Sequence, residues 1–302
     1  MSSALCTRPI RFALISEGVN SWPLYVAQQK ELFARAGVDV QVTLTGSSVS
    51  QLRMLAAGDY DIGFQQSDHI VRGVENGADL FIFMAQAHAP ELTLVAAPGI
   101  AAIAGLKGKA IAVDGARTGY ALLLRKLLAD HGLHDGDYRF VEVGGSTERF
   151  ESLRAGATFA SLLNPPFDRN LLAAGFGSLG TTGEYFPTYP GSIAAARHSW
   201  ARENRQALVA YIRAFHAAYA WLKDTRNKQE AIALLPARLN IDMRVATAAY
   251  DELVQRPLPG ITDEGLRRVI DVVWDAEGWT GPKGECGRYL DLSYLAQAQL
   301  AD

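Results

Sequence analysis

The 302-residue sequence predicts an α/β protein made of two similar lobes. Three observations carry that prediction. Short apolar runs of strand character alternate with longer segments in which apolar residues recur at helical spacing. One piece of that alternation, helix then glycine then strand, occurs twice: "GSSVSQLRMLAAGDYDIGFQQ" from Gly46 and "GGSTERFESLRAGATFASLLN" from Gly144. Laid over one another without a gap, they place Gly46 on Gly144, Ser48 on Ser146, Leu55 on Leu153 and Gly58 on Gly156. Finally, the last third of the chain changes to helical segments with few strand candidates. The expected architecture is two Rossmann-like lobes with a central ligand cleft and two hinge crossovers.

Taken in order, "IRFALIS" (10–16) is a short apolar run, and "WPLYVAQQKELFARAG" repeats apolar positions at helical spacing until Gly37 stops it. "VDVQVTLT" alternates at period two, as a strand does. Ser47 and Ser48 then read as helix caps, Gly58 as a turn and "YDIGF" as a strand. A helix and the strand "DLFIFMAQA" follow, then "LTLVAAP", the strand Ala110–Val113, a helix from about Thr118, and the strand "DYRFVEVGG". After the second copy, residues from Tyr189 onward read as helices: "NRQALVAYIRAFHAAYAWLKD", "KQEAIALLPARL", "MRVATAAYDELV" and "TDEGLRRVIDVVWDAEG". The first lobe is therefore expected from residues 1–94 plus 194–302, with 95–193 inserted as the second. The crossovers fall near Thr93–Ala97 and Gly191–Ala196.

Bulk chemistry narrows the function. With 49% hydrophobic and 20% charged residues and a net charge of −3, the chain has no electrostatic footprint for nucleic acid or an anionic membrane. Cys6 and Cys286 are too sparse for a disulfide framework or a zinc site and read as free thiols. "SALC" lacks the basic and apolar region a lipobox needs, and no run approaches ~20 apolar residues. No P-loop, dinucleotide fingerprint, HExxH or nucleophile elbow occurs, so no cofactor is expected. "HGLHDGD" brings His131, His134, Asp135 and Asp137 together, but a helix end entering a turn explains these residues better than a metal.

In parallel α/β sheets, ligands gather beyond the carboxyl ends of the strands, where helix starts offer backbone N–H groups and a partial positive charge. The duplicated segments supply two such starts, at Gly46–Ser48 and Gly144–Thr147, and "DGARTGY" (114–120) a third.

Four stretches carry a family resemblance. "WPLYVAQQKELFARAGVDVQVTLTGSSVSQLRMLAAGDYDIGFQQSD", "GLKGKAIAV", "GSTERFESLRAG…NPP" and "RYLDLSYLAQA" resemble, in that order, the substrate-binding proteins of ABC importers that carry sulfonates, taurine, nitrate-like anions and thiamin pyrimidine precursors. The similarity spans roughly Ile10 to Ala298. It implies a periplasmic binding protein type II fold that closes on a solute without catalysis, a monomer, an ABC permease as partner and a periplasmic location. The opening "MSSALCTRPIRF" shows no basic-plus-apolar leader, which by itself reads as cytoplasmic.

The expected ligand contacts follow the strand ends. Ser16, Asn20 and Trp22 lie where the family's ligand-facing loop falls, although Trp22 also fits a hydrophobic staple. Ser47, Ser48, Ser146 and Thr147 read first as helix caps, with Ser47 and Ser146 also among the expected contacts and Ser48 and Thr118 expected to do both. Gln66 and Asp68 follow one strand, and Asn164 takes the equivalent place in the second lobe, held by the stiff "NPPF" corner. Arg117, just before a predicted helix start, reads as a partner for an anionic group or as a solvated surface arginine, and Asp114, Gly119 and Tyr120 of the same loop are further expected contacts. Tyr185 in "EYFPTYP" reads as a stacking rim or a core plug, and His88 as a contact or a hinge side chain. The expected solute is a sulfonate, aromatic carboxylate or pyrimidine-like molecule, and because Glu17, Asp68 and Asp114 would hold an amine or ring N–H, a zwitterion such as an aminosulfonate, or an amino-pyrimidine, is favoured over a bare anion. The rival readings are a decarboxylase-like cytosolic enzyme and a ligand sensor on the same scaffold.

Overall fold

The computed structural model describes residues 8–87, 92–165, 167–239 and 241–300. Along the chain run β1 (Ile10–Leu14), α1 (Trp22–Gln29), α2 (Leu32–Arg35), β2 (Val40–Leu44), α3 (Ser48–Ala57), β3 (Ile62–Gln65), α4 (Ser67–Glu75) and β4 (Leu80–Ala87). There follow β5 (Thr93–Ala96), β6 (Ala110–Val113), α5 (Gly119–Asp130), β7 (Arg139–Glu142), α6 (Ser146–Arg154), β8 (Ala160–Leu163), α7 (Phe167–Ala173), β9 (Gly177–Thr181) and α8 (Thr182–Tyr185). The chain ends with β10 (Ser192–Arg197), α9 (His198–Glu203), α10 (Arg205–Lys223), α11 (Lys228–Leu239), α12 (Met243–Gln255), α13 (Asp263–Glu277) and α14 (Ser293–Gln299). Among the described residues no helix is long and apolar enough to cross a membrane.

These elements form two compact units, each with its own five-stranded sheet. The first sheet has the order β2-β1-β3-β10-β4 and the second β7-β6-β8-β5-β9. The two orders are one topology. In each unit the first strand (β1 or β6) sits between the second and the third, all three parallel. An antiparallel strand (β10 or β5) then separates the third from the fourth.

The repeated sentence in the sequence is the repeated third βα step. The offset that carries Gly46 onto Gly144 carries the start of α3 onto that of α6 and both ends of β3 onto those of β8. Gly58 and Gly156 close the two helices with φ of 93° and 71°, a left-handed conformation that glycine adopts without the Cβ clash.

Two features depart from the sequence reading. Residues 189–200 were expected to begin the helical part, yet Ser192–Arg197 form an interior antiparallel strand of the first sheet. Its alanines, 194 to 196, are fully buried because β3 and β4 flank the strand and α3, α4 and α9 pack against it. Alanine has weak strand propensity, and only that sandwiched position makes it fit. Second, not all C-terminal helices cover the first lobe. Unit one is Met1–His88, Pro190–Ile261 and Glu285–Asp302, and unit two is Ala89–Tyr189 with Thr262–Gly284. The chain passes between units four times, because α13 packs on α5 with Leu266, Val269, Ile270 and Val273 buried.

Unit one is held by a thick aromatic core. Tyr211 of α10 stacks on Phe33 at 5.4 Å and Phe12 at 5.9 Å between ring centroids. In unit two one core cluster joins Val95, Ala112 and Leu163 of the sheet to Leu153 and Leu171 of the helices.

Candidate functional site

Each unit gathers polar side chains at the carboxyl ends of its parallel strands, as the sheet topology requires. In unit one, Ser47 is the N-cap of α3, its Oγ accepting from Ser50 N at 3.3 Å. Ser48, half-buried as the first helical residue, has no protein hydrogen bond to its hydroxyl among the described residues. Gln66 is the N-cap of α4 and uses its backbone alone. Beneath these residues lies a set of fully buried polar atoms that have no partner among the described residues: Gln65 Oε1 and Nε2, Ser67 Oγ and Asp68 Oδ1. Buried polar atoms are almost always paired, so such a knot at one strand end marks a site rather than a scaffold. Asp68 spends its other oxygen on Arg72, which donates to Oδ2 at 2.6 Å.

The loop after β1 behaves differently. Ser16 is exposed and Asn20 half-buried in the turn Val19–Ser21. Tyr25 accepts from Gly18 N at 2.9 Å and so pins this loop to α1. Glu17, expected to hold an amine, is paired with Arg238 Nε at 2.9 Å. Trp22 requires a correction: it has no exposed surface, and its ring meets Tyr250 edge-on at 6.0 Å. It is a core residue in this structure: as the first residue of α1, with Pro23 in the same turn, it packs into the apolar core of unit one. His88 lies outside the described residues.

In unit two the strand ends converge. Thr118 caps α5, accepting from Ala121 N at 3.4 Å while donating to Asp114 Oδ1 at 2.6 Å. The loop is tied to β7 by Ala116 N, which donates to Glu142 Oε1 at 2.8 Å. Gly119 is buried as the first residue of α5, and Tyr120 half-buried behind it. On the neighbouring strand ends, Ser146 Oγ donates to Asn164 Oδ1 at 2.6 Å.

The residue that joins these groups was not foreseen. Arg149, of which 6% is exposed, donates through Nη2 to Ser146 Oγ at 3.0 Å, through Nη1 to Leu162 O at 3.0 Å and through Nε to Gly145 O at 3.3 Å. Burial pushes its guanidinium below the ordinary arginine range, and the nearby Asp114, Tyr120 and Glu148 push it back up. β6 lies between β7 and β8 in the sheet and all three run parallel, so the loops after them leave the same edge of unit two. A signal was present in the sequence. Arg149 stands four residues before Leu153, on the apolar stripe of α6, where a charge is out of place. The repeat offset puts it on Gln51, which is fully buried and donates to Phe64 O at 2.9 Å, the counterpart of Leu162 O.

Arg117 is an exposed side chain already ion-paired with Glu277 of α13, so the buried cation of the cluster is Arg149. Tyr185 makes no hydrogen bond to this group. Its hydroxyl donates to Leu179 O at 2.6 Å and its ring meets His131 edge-on at 5.4 Å. His131 caps the far end of α5, roughly 20 Å along the helix from Thr118. Phe186 and Tyr189, which share a loop with Tyr185, are buried against each other, as core plugs would be. In "HGLHDGD", Asp137 accepts from His134 N at 3.0 Å and pairs with Lys107 at 3.1 Å, while Asp135 pairs with Arg125 at 3.2 Å.

Two α/β sheets of this order, each with helix starts at its strand ends, define the periplasmic binding protein type II fold, and solved structures agree. A protein from Bordetella bronchiseptica RB50 is 22% identical with a TM-score of 0.76, the alignment covering 97% of each chain. The periplasmic aliphatic sulphonate binding protein SsuA from Escherichia coli is 18% identical with a TM-score of 0.73, covering 93% of this chain and 91% of that one. The periplasmic nitrate-binding protein NrtA from Synechocystis PCC 6803 is 16% identical with a TM-score of 0.70, covering 96% and 87%. No curated protein matches the chain. The profile of the NMT1/THI5-like family matches residues 19–228, and the chain belongs to that family.

Proposed function

We propose that this chain is the solute-binding receptor of an ABC-type import system, taking up a small polar or anionic organic molecule. The observation that carries the reading is the cluster at the strand ends of unit two, where Asp114, Thr118, Ser146, Arg149 and Asn164 meet without a catalytic pair among them. Such a set offers hydrogen bonds and charge, which is what recognition needs. Family membership supports it, as do two of the structural neighbours, a sulphonate-binding and a nitrate-binding protein. A permease partner and a periplasmic location belong to the same proposal.

The test is a thermal-shift screen of the full chain against sulfonates, nitrate, aromatic carboxylates and pyrimidines, with mass spectrometry of each mixture afterwards. A raised melting temperature with the solute recovered unchanged is the expected result. A converted solute would favour an enzyme on this scaffold, and no shift with any compound would remove the receptor reading.

A further inference from the structure

We infer that Arg149 sets the charge of the accepted solute: the strand-end cluster of unit two receives the acidic group of an organic anion, and rejects the neutral analogue of the same shape. The inference rests on the receptor reading and adds which residue selects and what it selects.

Arg149 is a buried cation whose three acceptors, Gly145 O, Leu162 O and Ser146 Oγ, are all neutral. Among the described residues no carboxylate comes within ion-pair distance of it. A buried charge without a counter-charge is costly, and two of its five N–H groups remain for a further acceptor. Its position raises the cost. Arg149 lies at the start of α6, where the helix itself is partially positive and where anions, not cations, are stabilised. The first turn also lacks a side-chain cap, since Gly145 occupies the N-cap.

The groups that face it only partly offset this. Asp114 is engaged by Thr118 Oγ1 at 2.6 Å, and the Glu148 carboxylate is exposed and folded back toward Gly145. Tyr120 contributes from the start of α5. Unit one solves the same structural problem without charge, since Gln51 makes the equivalent bond to Phe64 O. The fold therefore needs a donor at this position but not a cation. What the cation adds is a positive potential aimed at the strand ends.

Arg149 also fixes the polarity of its neighbours. Its Nη2 takes a lone pair of Ser146 Oγ, so the Ser146 proton goes to Asn164 Oδ1, and Asn164 Nδ2 donates to Pro165 O at 3.0 Å. One N–H of Asn164 is then left to point outward. Together with the uncapped first turn of α6, this edge presents donors, the complement of carboxylate or sulfonate oxygens.

The experiment measures binding of matched probes, benzoate with benzamide and ethanesulfonate with ethanesulfonamide, to the full-length wild type and to Arg149→Gln, Arg149→Lys and Ser146→Ala. Wild type is expected to bind an acid and not its amide. R149Q should lose about tenfold or more in affinity for the acid, R149K should recover part of that loss, and S146A should weaken binding by several-fold. The ligand-free melting temperature of R149Q should stay level or rise, because glutamine is the solution unit one already uses. A purely structural arginine would give the opposite pattern, a lower melting temperature with acid affinity intact. That pattern, or equal binding of acid and amide by wild type, overturns the inference while the receptor reading stands. Should R149Q fail to fold, R149K and S146A decide through the same acid-to-amide ratio. Wild type binding none of these probes overturns the inference, and the broader solute screen then decides the receptor reading separately.

Discussion

Asp61 begins the step into β3 as a fully buried carboxylate, and Arg11 grips it with two nitrogens, Nη2 on Oδ1 at 2.7 Å and Nε on Oδ2 at 3.1 Å. Arg8 adds a third contact at 3.3 Å. Removing the carboxylate strands these cations beside an apolar strand end. Asp61→Ala should lower stability by about 2–3 kcal/mol in urea unfolding, below the full value for a wholly buried pair because Arg11 remains partly in water. His69 gives a pH-dependent case. Burial pushes its imidazole below the ordinary value of 6.5, against a smaller upward pull from Asp68. Below about pH 6.5 the unfolded chain takes up a proton that folded His69 refuses, so stability is full above that pH and declines as pH falls toward the folded value. Between about pH 7.5 and pH 5.5, wild type should lose more melting temperature than His69→Leu. Parallel curves would refute the assignment.

At the level of the element, the two copies of the helix–glycine–strand step make a matched pair for comparison. Gly58 and Gly156 both hold positive φ, so alanine at either should cost roughly 1 kcal/mol. Their surroundings differ. A Cβ on Gly58 would stand 3.1 Å from the Arg197 guanidinium carbon, whereas nothing lies within 4 Å of one on Gly156. Gly58→Ala should therefore be the more destabilising of the two in thermal melts, and equal effects would mean that Arg197 yields freely. The same comparison explains α1: Trp22 packs inward, so Trp22→Ala should destabilise the chain by about 3–5 kcal/mol, a folding effect to be read in denaturant before any binding assay.

For the whole molecule, the four passes between units have a consequence for dissection. A fragment of residues 89–189 lacks α13 and leaves uncovered the face of α5 on which Leu266, Val269, Ile270 and Val273 pack. That fragment should melt without cooperativity, while one in which a linker adds residues 262–284 should unfold cooperatively by circular dichroism. Cooperative melting of the short fragment would show that α13 is dispensable to the unit. Arg117 and Glu277 lie in that same joint, which gives Arg117 a structural task beside its place before α5.

Much of this was legible in the chain. Period-two runs and helical spacing marked β1 to β4 and α10 to α13, glycines marked the turns, and one gapless repeat marked both copies of the third βα step, because these signals are local and need only neighbours along the backbone. The strand Ser192–Arg197, the return of α13 to unit two and the pairing of Arg117 were not legible. Each depends on what lies across space: an alanine run becomes a strand only between β3 and β4, and a surface arginine is neutralised only when a distant helix arrives. Arg149 lies between the two cases. Its place on an apolar stripe was written in the sequence, but that its charge is buried and unmatched was decided by the tertiary fold, which closed water out from around it.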